Sequence, residues 1–173
     1  MKSSTQLYDG GWFSHNVTPE GVEYLAENHD GITCLCYDSS RTDGRPFLLL
    51  HEQMSATMTS FPQLCSLTGS IDKGETPMQT CLRELREEAG AVVLEKMVKY
   101  HGPLYTYKGC TKVTHVFSAN LIDCSFVHPV GDGSDVEENA FVRWHSLEEL
   151  LATEDALLLA TLARAKYKFL AEV

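Results

Sequence analysis

Residues 69–91 read GSIDKGETPMQTCLRELREEAGA, a glycine-bounded loop followed by the clearest helix in the chain. The second half of this stretch predicts a helix from Thr76 to Ala89. Thr76 is a good N-cap and Pro77 suits the first helical position, where a missing N–H costs nothing. Met78, Cys81, Leu82, Leu85 and Ala89 recur at spacings of three and four, so they form one apolar stripe. Gly90 stops the helix, because glycine enters the left-handed region freely.

The same helix carries acids at helical spacing. Glu84 lies three residues before Glu87 and four before Glu88, so the three carboxylates share one face. That face is expected to lie roughly opposite the apolar stripe and to point outward. Like charges so stacked destabilise a bare helix by a few tenths of a kcal/mol per pair. A divalent cation removes the repulsion, and hard oxygen ligands suit Mg²⁺, with Mn²⁺ as a substitute. Arg83 can pair with Glu87 or reach back to Glu75, and either contact would orient a carboxylate. Gly69 and Gly74 allow a tight loop and let backbone carbonyls approach a metal. The plain alternative is a solvated acidic helix face.

Working outward, Ile32 to Tyr37 is β-prone, residues 41–45 read as a turn, and Phe47 to His51 as the returning strand. Residues 60–68 are a further extended candidate, and Val92 and Val93 begin a return to extended structure. Residues 97–107 and 113–123 read as two strands around Lys108 and Gly109. Residues 130–139 form an acidic, glycine-containing loop, followed by a short strand from Phe141 to Trp144. Ser146 and Glu149 make a capping box, and a Leu- and Ala-rich helix runs from about Glu154 to Leu170. Residues 1–30 read as a short N-terminal arm of the same domain, which otherwise spans 31–173. No second domain boundary is visible.

Composition bounds the function. The chain has 173 residues and is 43% apolar, enough for one domain with a real core. No apolar run approaches the ~20 residues of a membrane helix, and residues 1–10 are too polar for a secretory signal. A cytoplasmic protein without a membrane partner is the expectation. The net charge of −10 repels nucleic-acid backbones. It suits an enzyme of anionic phosphates only if carboxylates hold metal ions that supply local positive charge. The six cysteines show no metal-binding spacing and read as reduced, buried thiols; the seven histidines read as isolated, and mostly not as ligands.

The quoted stretch resembles the Nudix box, G-x5-E-x7-R-E-U-x-E-E-x-G-U with U apolar. Gly69, Glu75, Arg83, Glu84, Glu87, Glu88 and Gly90 fill every fixed position. Leu85 fills the first apolar position well, and Ala91 fills the last weakly. The resemblance implies an α/β/α sandwich around a mixed sheet. It implies Glu84, Glu87 and Glu88 as metal ligands, helped by a backbone carbonyl near Gly69, with Arg83 and Glu75 as an orienting pair. The chemistry implied is Mg²⁺-dependent attack of water on a phosphorus of a nucleoside diphosphate linked to another group.

Within that family the flanking sequence looks most like the ADP-ribose pyrophosphatases. Residues 50–53 and 65–75 follow their pattern, although Ser66 and Thr68 depart from it and a glutamate expected near residues 63–65 is missing. The acidic loop suggests Glu137 or Glu138 as general base. Trp12 and Tyr24 are candidates to stack on a base. Pro103 lies where the ADP-ribose group places a proline, and Tyr107 where dinucleoside polyphosphate hydrolases place a tyrosine. The substrate expected is thus ADP-ribose, cut to AMP and ribose 5-phosphate. Dinucleoside polyphosphates, NADH and nucleoside triphosphates are the alternatives, as is a nucleotide-binding domain without turnover. A homodimer is implied by resemblance alone.

Overall fold

The structure, a computed structural model, describes residues 4–52, 63–129 and 140–165. Its centre is a mixed seven-stranded sheet. Strands β1 (Thr5–Asp9), β2 (Phe13–Val17) and β3 (Glu23–Glu27) form a separate antiparallel sheet. The main sheet has β4 (Gly31–Tyr37), β5 (Phe47–Glu52), β6 (Gln63–Cys65) and β7 (Leu67–Ser70), then β9 (Val98–Leu104), β10 (Thr114–Asn120) and β12 (Phe141–His145). Its order is β12-β5-β4-β10-β9, with β6 on β5 and β7 on β4. The mixed character comes from β4, which runs parallel to β10 and antiparallel to β5 and β7. The short strands β8 (Ala91–Val92) and β11 (Ser125–Phe126) pair with each other after the Nudix-like helix.

Strand alternation builds two cores from β4. Ile32, Cys34 and Cys36 face helix α1 (Pro77–Glu87) and pack with Cys81, Leu85, Ala89 and Phe117. Leu35 faces the other way, with Phe47 and Leu49, onto Leu150 of α2 (Leu147–Leu151) and Leu158 and Leu162 of α3 (Ala156–Ala165). Helices on both faces of a mixed sheet make the expected α/β/α sandwich. Thr33, on the second face, would strand a hydroxyl in the core. It is instead bonded to Ser66 Oγ at 2.8 Å and Thr161 Oγ1 at 2.9 Å. This explains why a serine stands at position 66.

Several local expectations hold. Thr76 caps α1 in a reciprocal box with Gln79, and Ser146 caps α2 with Glu149. Gly90 sits at φ +64°, and a Cβ there would stand 2.2 Å from the carbonyl oxygen of Val127. Both the backbone conformation and the space demand glycine. The expected strand over 60–68 is two strands, β6 and β7, in its described part. The expected helix over 154–170 is a helix from Ala156 to Ala165, with residues 166–170 outside the described residues; it is capped by the Asp155 carboxylate, which accepts from the N–H groups of Leu157 and Leu158.

Two expectations need correction. In its described part, the segment read as a short N-terminal arm carries the β1–β3 sheet, whose apolar residues alternate too weakly to announce strands. The segment around Lys108 and Gly109 is no simple hairpin turn. β9 and β10 do pair, but the connection leaves the main sheet to hold β3: Leu25 N–H donates to Gly109 O at 2.7 Å, and Thr111 N–H to Leu25 O at 2.9 Å. Among the described residues, no helix is long and apolar enough to cross a membrane.

Candidate active site

Helix α1 presents one apolar face to the sheet, with Cys81 and Leu85 fully buried. Burying a leucine side chain is worth roughly 1.5–3 kcal/mol, so this face fixes where the acids sit. The acids are not simply outward-facing, as expected. Glu84 is 7% exposed, because its carboxylate occupies the space a side chain at position 69 would fill. A Cβ on Gly69 would stand 2.1 Å from Glu84 Oε1. Gly69 therefore serves by lacking a side chain. Its own carbonyl lies on the β4 side, beside Gly31.

Arg83 organises the cluster. A guanidinium has five N–H donors in a rigid plane. Here Nε donates to Glu75 Oε1 at 3.1 Å, and Nη2 donates to Glu75 Oε2 at 3.2 Å and to Ser70 O at 3.1 Å. Nη1 donates to Glu84 Oε1 at 2.8 Å and to Glu87 Oε2 at 3.0 Å. One side chain thus ties the loop residues Ser70 and Glu75 to two acids of the helix. Reading the sequence offered Glu75 or Glu87 as the partner; the structure gives both, and adds Glu84.

The charges respond accordingly. Burial alone would lower the Arg83 pKa, but the carboxylates of Glu75 and Glu87 and the charge of Glu84 outweigh it and hold the guanidinium above its ordinary value. Glu75 is held below the usual carboxylate range, first by Arg83 and then by the hydroxyl of Thr80. Thr80 is fully buried and donates to Glu75 Oε2 at 2.8 Å. It escaped notice in the sequence, where only its position one turn after the cap hinted that it could face the loop. Gly74, at φ +94°, lets that loop turn into the cap.

Glu88 is half-buried, with its Oε2 inside the protein. Glu84, Glu87 and Glu88 thus share one stretch of helix, two of them bridged by Arg83. As the side chains stand, no group of three His, Cys, Asp or Glu residues among the described residues is arranged to hold a metal ion. The donors nonetheless fit a hard divalent cation in kind, being carboxylate oxygens beside a glycine cradle. Glu137 and Glu138 lie outside the described residues, as does Gln53.

A recess of about 180 Å³ adjoins the cluster through Ser70. Trp12, Phe13 and Leu25 give it apolar walls, and Glu27 and Lys112 a polar one, paired at 2.8 Å. Trp12 is 70% exposed and lies tilted against the ring of His29. Tyr24 is not brought here: β3 turns Leu25 and Glu27 to the recess, so Tyr24 faces away, and its hydroxyl donates to Ser4 Oγ at 3.1 Å. Pro103 and Tyr107 do not line the recess either. Pro103 sits in β9, where its carbonyl accepts from Arg164, and the exposed Tyr107 ring lies over Gly109. An open cleft on the other side of His29 is bordered by Lys73, Glu75 and His115. Lys112, Lys73 and His115 carried no sequence signal, since single cations outside a motif are ordinary surface residues.

A mixed sheet between helices, with a loop and helix joined by one arginine and four carboxylate-bearing positions, defines a class of α/β domains with an acid cluster at the start of the sheet-bound helix's last turns. The match that narrows it is to the NUDIX domain family, over residues 27–173, and the chain belongs to that family. Among solved structures it is similar to one described as an ADP compounds hydrolase, at 16% identity and a TM-score of 0.63, covering 99% of this chain and 96% of that one. It is also similar to a NUDIX hydrolase from Nitrosomonas europaea, at 21% identity and a TM-score of 0.60, covering 80% and 88%. At these identities the likeness speaks to the fold. No curated protein sequence matches the chain.

Proposed function

We propose that this protein hydrolyses the pyrophosphate bond of a nucleoside diphosphate linked to another moiety, in a Mg²⁺-dependent reaction, with ADP-ribose as substrate. The observation that carries the reading is the five-bond Arg83 hub, which gathers Glu75, Glu84 and Glu87 beside Glu88 and Gly69. Glu84, Glu87 and Glu88 would hold the cation, once Glu84 or Glu87 swings off Arg83. Bound there, Mg²⁺ would neutralise the diphosphate and make water a better nucleophile.

The chain's own residues do the rest. Arg83 and Glu75 keep the loop and helix in register, so the acids are positioned before substrate arrives. Glu84 packs into the space that Gly69 leaves open. Trp12 offers a flat apolar face to the base, and Ser70 joins that recess to the carboxylates. The fold shared with an ADP compounds hydrolase supports an adenine nucleotide as substrate. Glu137 or Glu138 remains the proposed general base. The exposed apolar residues of the N-terminal sheet, among them Leu7, Tyr8 and Phe13, support the proposal of a homodimer, which light scattering on the purified chain checks.

A hydrolysis panel with Mg²⁺ and product identification tests the reading. It should hold ADP-ribose, GDP-mannose, NADH, diadenosine polyphosphates and nucleoside triphosphates. ADP-ribose is expected to yield AMP and ribose 5-phosphate. Release of inorganic pyrophosphate from a triphosphate, with ADP-ribose intact, would overturn the substrate. The bridging of Glu84 and Glu87 by Arg83 favours one other reading, a nucleotide-binding domain without turnover. That reading expects ADP-ribose to bind and remain uncut with both Mg²⁺ and Mn²⁺.

A further inference from the structure

Far along the chain from the Nudix-like helix, the fold brings together two histidines that the sequence left apart. His51 stands at the end of β5 and His145 at the end of β12, and their Nε2 atoms lie 2.9 Å apart. Both rings are held. Phe141 stacks on His51 with centroids 4.5 Å apart and planes 12° from parallel, and the Arg143 guanidinium covers the outer face of Phe141. His145 is 9% exposed, with its Nδ1 buried and 3.4 Å from Glu149 Oε2.

The geometry points to a binding site for a borderline transition-metal ion such as Zn²⁺ or Ni²⁺, with His51 Nε2 and His145 Nε2 as its protein ligands and Glu149 orienting His145. His145 Nδ1 makes no hydrogen bond, but the Glu149 carboxylate 3.4 Å away favours a proton on it, which leaves Nε2 the lone pair that a ligating histidine needs. His145 Nε2 is therefore a ready ligand. With that tautomer of His145, His51 is the donor of the pair's hydrogen bond; moving the His51 proton to Nδ1 frees a second lone pair with no change of net charge.

The spacing agrees. Two imidazole nitrogens at the usual ~2.0–2.1 Å from a tetrahedral ion stand about 3.3 Å apart, so the nitrogens need separate by only a few tenths of an ångström, and each ring must turn by roughly 35° to aim its lone pair at the ion. Imidazole donors select ions of this softness over Mg²⁺, so the site is chemically distinct from the carboxylate cluster. Charge supports neutral ligands. Burial first, then His145 and Arg143, hold His51 below the ordinary imidazole range. Burial does the same for His145, with Glu149 pulling the other way and Arg45 and Arg143 adding to the fall. Arg45 is itself paired with Glu149 at 3.1 Å. These guanidinium groups also repel a cation, which places the affinity below that of a closed structural zinc site.

Calorimetric titration of the full chain with Ni²⁺, in excess Mg²⁺ to fill the carboxylate cluster, tests the site. One Ni²⁺ is expected to bind, and His51→Gln to weaken it at least about tenfold, while melting in EDTA stays near wild type. Glu149→Gln, which can keep the helix cap, should weaken binding about 10-fold or more. Because His145 is buried, its role is read in the wild-type chain, where paramagnetic Ni²⁺ should broaden the imidazole NMR signals of His51 and His145 before those of the other histidines. No binding to the wild type, undiminished binding in His51→Gln, or broadening that begins at other histidines would overturn the proposal. None of these results depends on nucleotide turnover.

Discussion

The carboxylate cluster and the recess beside it meet at Ser70 but are built on opposite plans. On the cluster side, α1 is sealed against the sheet by Cys81 and Leu85, and every donor of Arg83 is committed. On the recess side, β1 is exposed along its whole length, and Trp12 has most of its surface in solvent. The sheet is tied to the rest through Leu25, Gly109 and Thr111, and through the Glu27–Lys112 pair. Under the proposed function, the acids that would do the chemistry are carried by a core-anchored helix, whereas the surface that would meet the base is an exposed aromatic one. Damage to the first side should therefore appear in stability or kcat, and damage to the second in KM.

The largest expected effect is on folding. Leu85→Ala empties a fully buried site and should cost about 2–5 kcal/mol in denaturant unfolding. A loss under 1 kcal/mol would mean α1 is not anchored as described. Next is chemistry. Glu88→Gln should lower kcat at least ~10²-fold, about 2.7 kcal/mol of barrier, with the melting temperature little changed. Full activity in that variant would break the assignment of the cluster. Trp12→Ala belongs to the other side of the comparison. KM for ADP-ribose should rise about fivefold, near 1 kcal/mol, with kcat and melting temperature unmoved. A fall in kcat instead would mean the two sides are mechanically coupled.

Much of the cluster was legible in sequence because it is local. The spacing of Glu84, Glu87 and Glu88, the cap at Thr76 and the stop at Gly90 all follow from one helical period. The α/β/α layering followed from the family resemblance together with the order of apolar strands. What escaped depends on contacts between distant segments. Nothing near Gly69 reveals that Glu84 will fill the space above it. Thr80 reads as an indifferent helix residue until the loop places Glu75 beside it. His51 and His145 are 94 residues apart and meet only through the pairing of β5 with β12. The N-terminal strands are weakly patterned because so little of them is buried.

Two smaller effects are expected at buried polar groups. Thr80→Val removes the buried hydroxyl that holds Glu75 and should cost about 1 kcal/mol in stability. An unchanged melting temperature would show that Arg83 alone suffices. The histidine pair predicts a pH effect of known sign. Both imidazoles have folded pKa values below the ordinary 6.5. The unfolded chain therefore binds protons first as pH falls through about 6.5, and stability present above that value is lost below it. Melting should drop between pH 7.5 and 5.5, and His51→Gln should flatten the drop. An equal drop in both proteins would assign it elsewhere.

The most direct test of the cluster is a Mn²⁺ titration followed by electron paramagnetic resonance, which reports free Mn²⁺. Wild-type protein should quench the free signal and release the ion when Mg²⁺ is added, and Glu84→Gln should leave the signal free. If the wild type leaves Mn²⁺ free throughout, Arg83 holds these acids permanently and they are not a metal site.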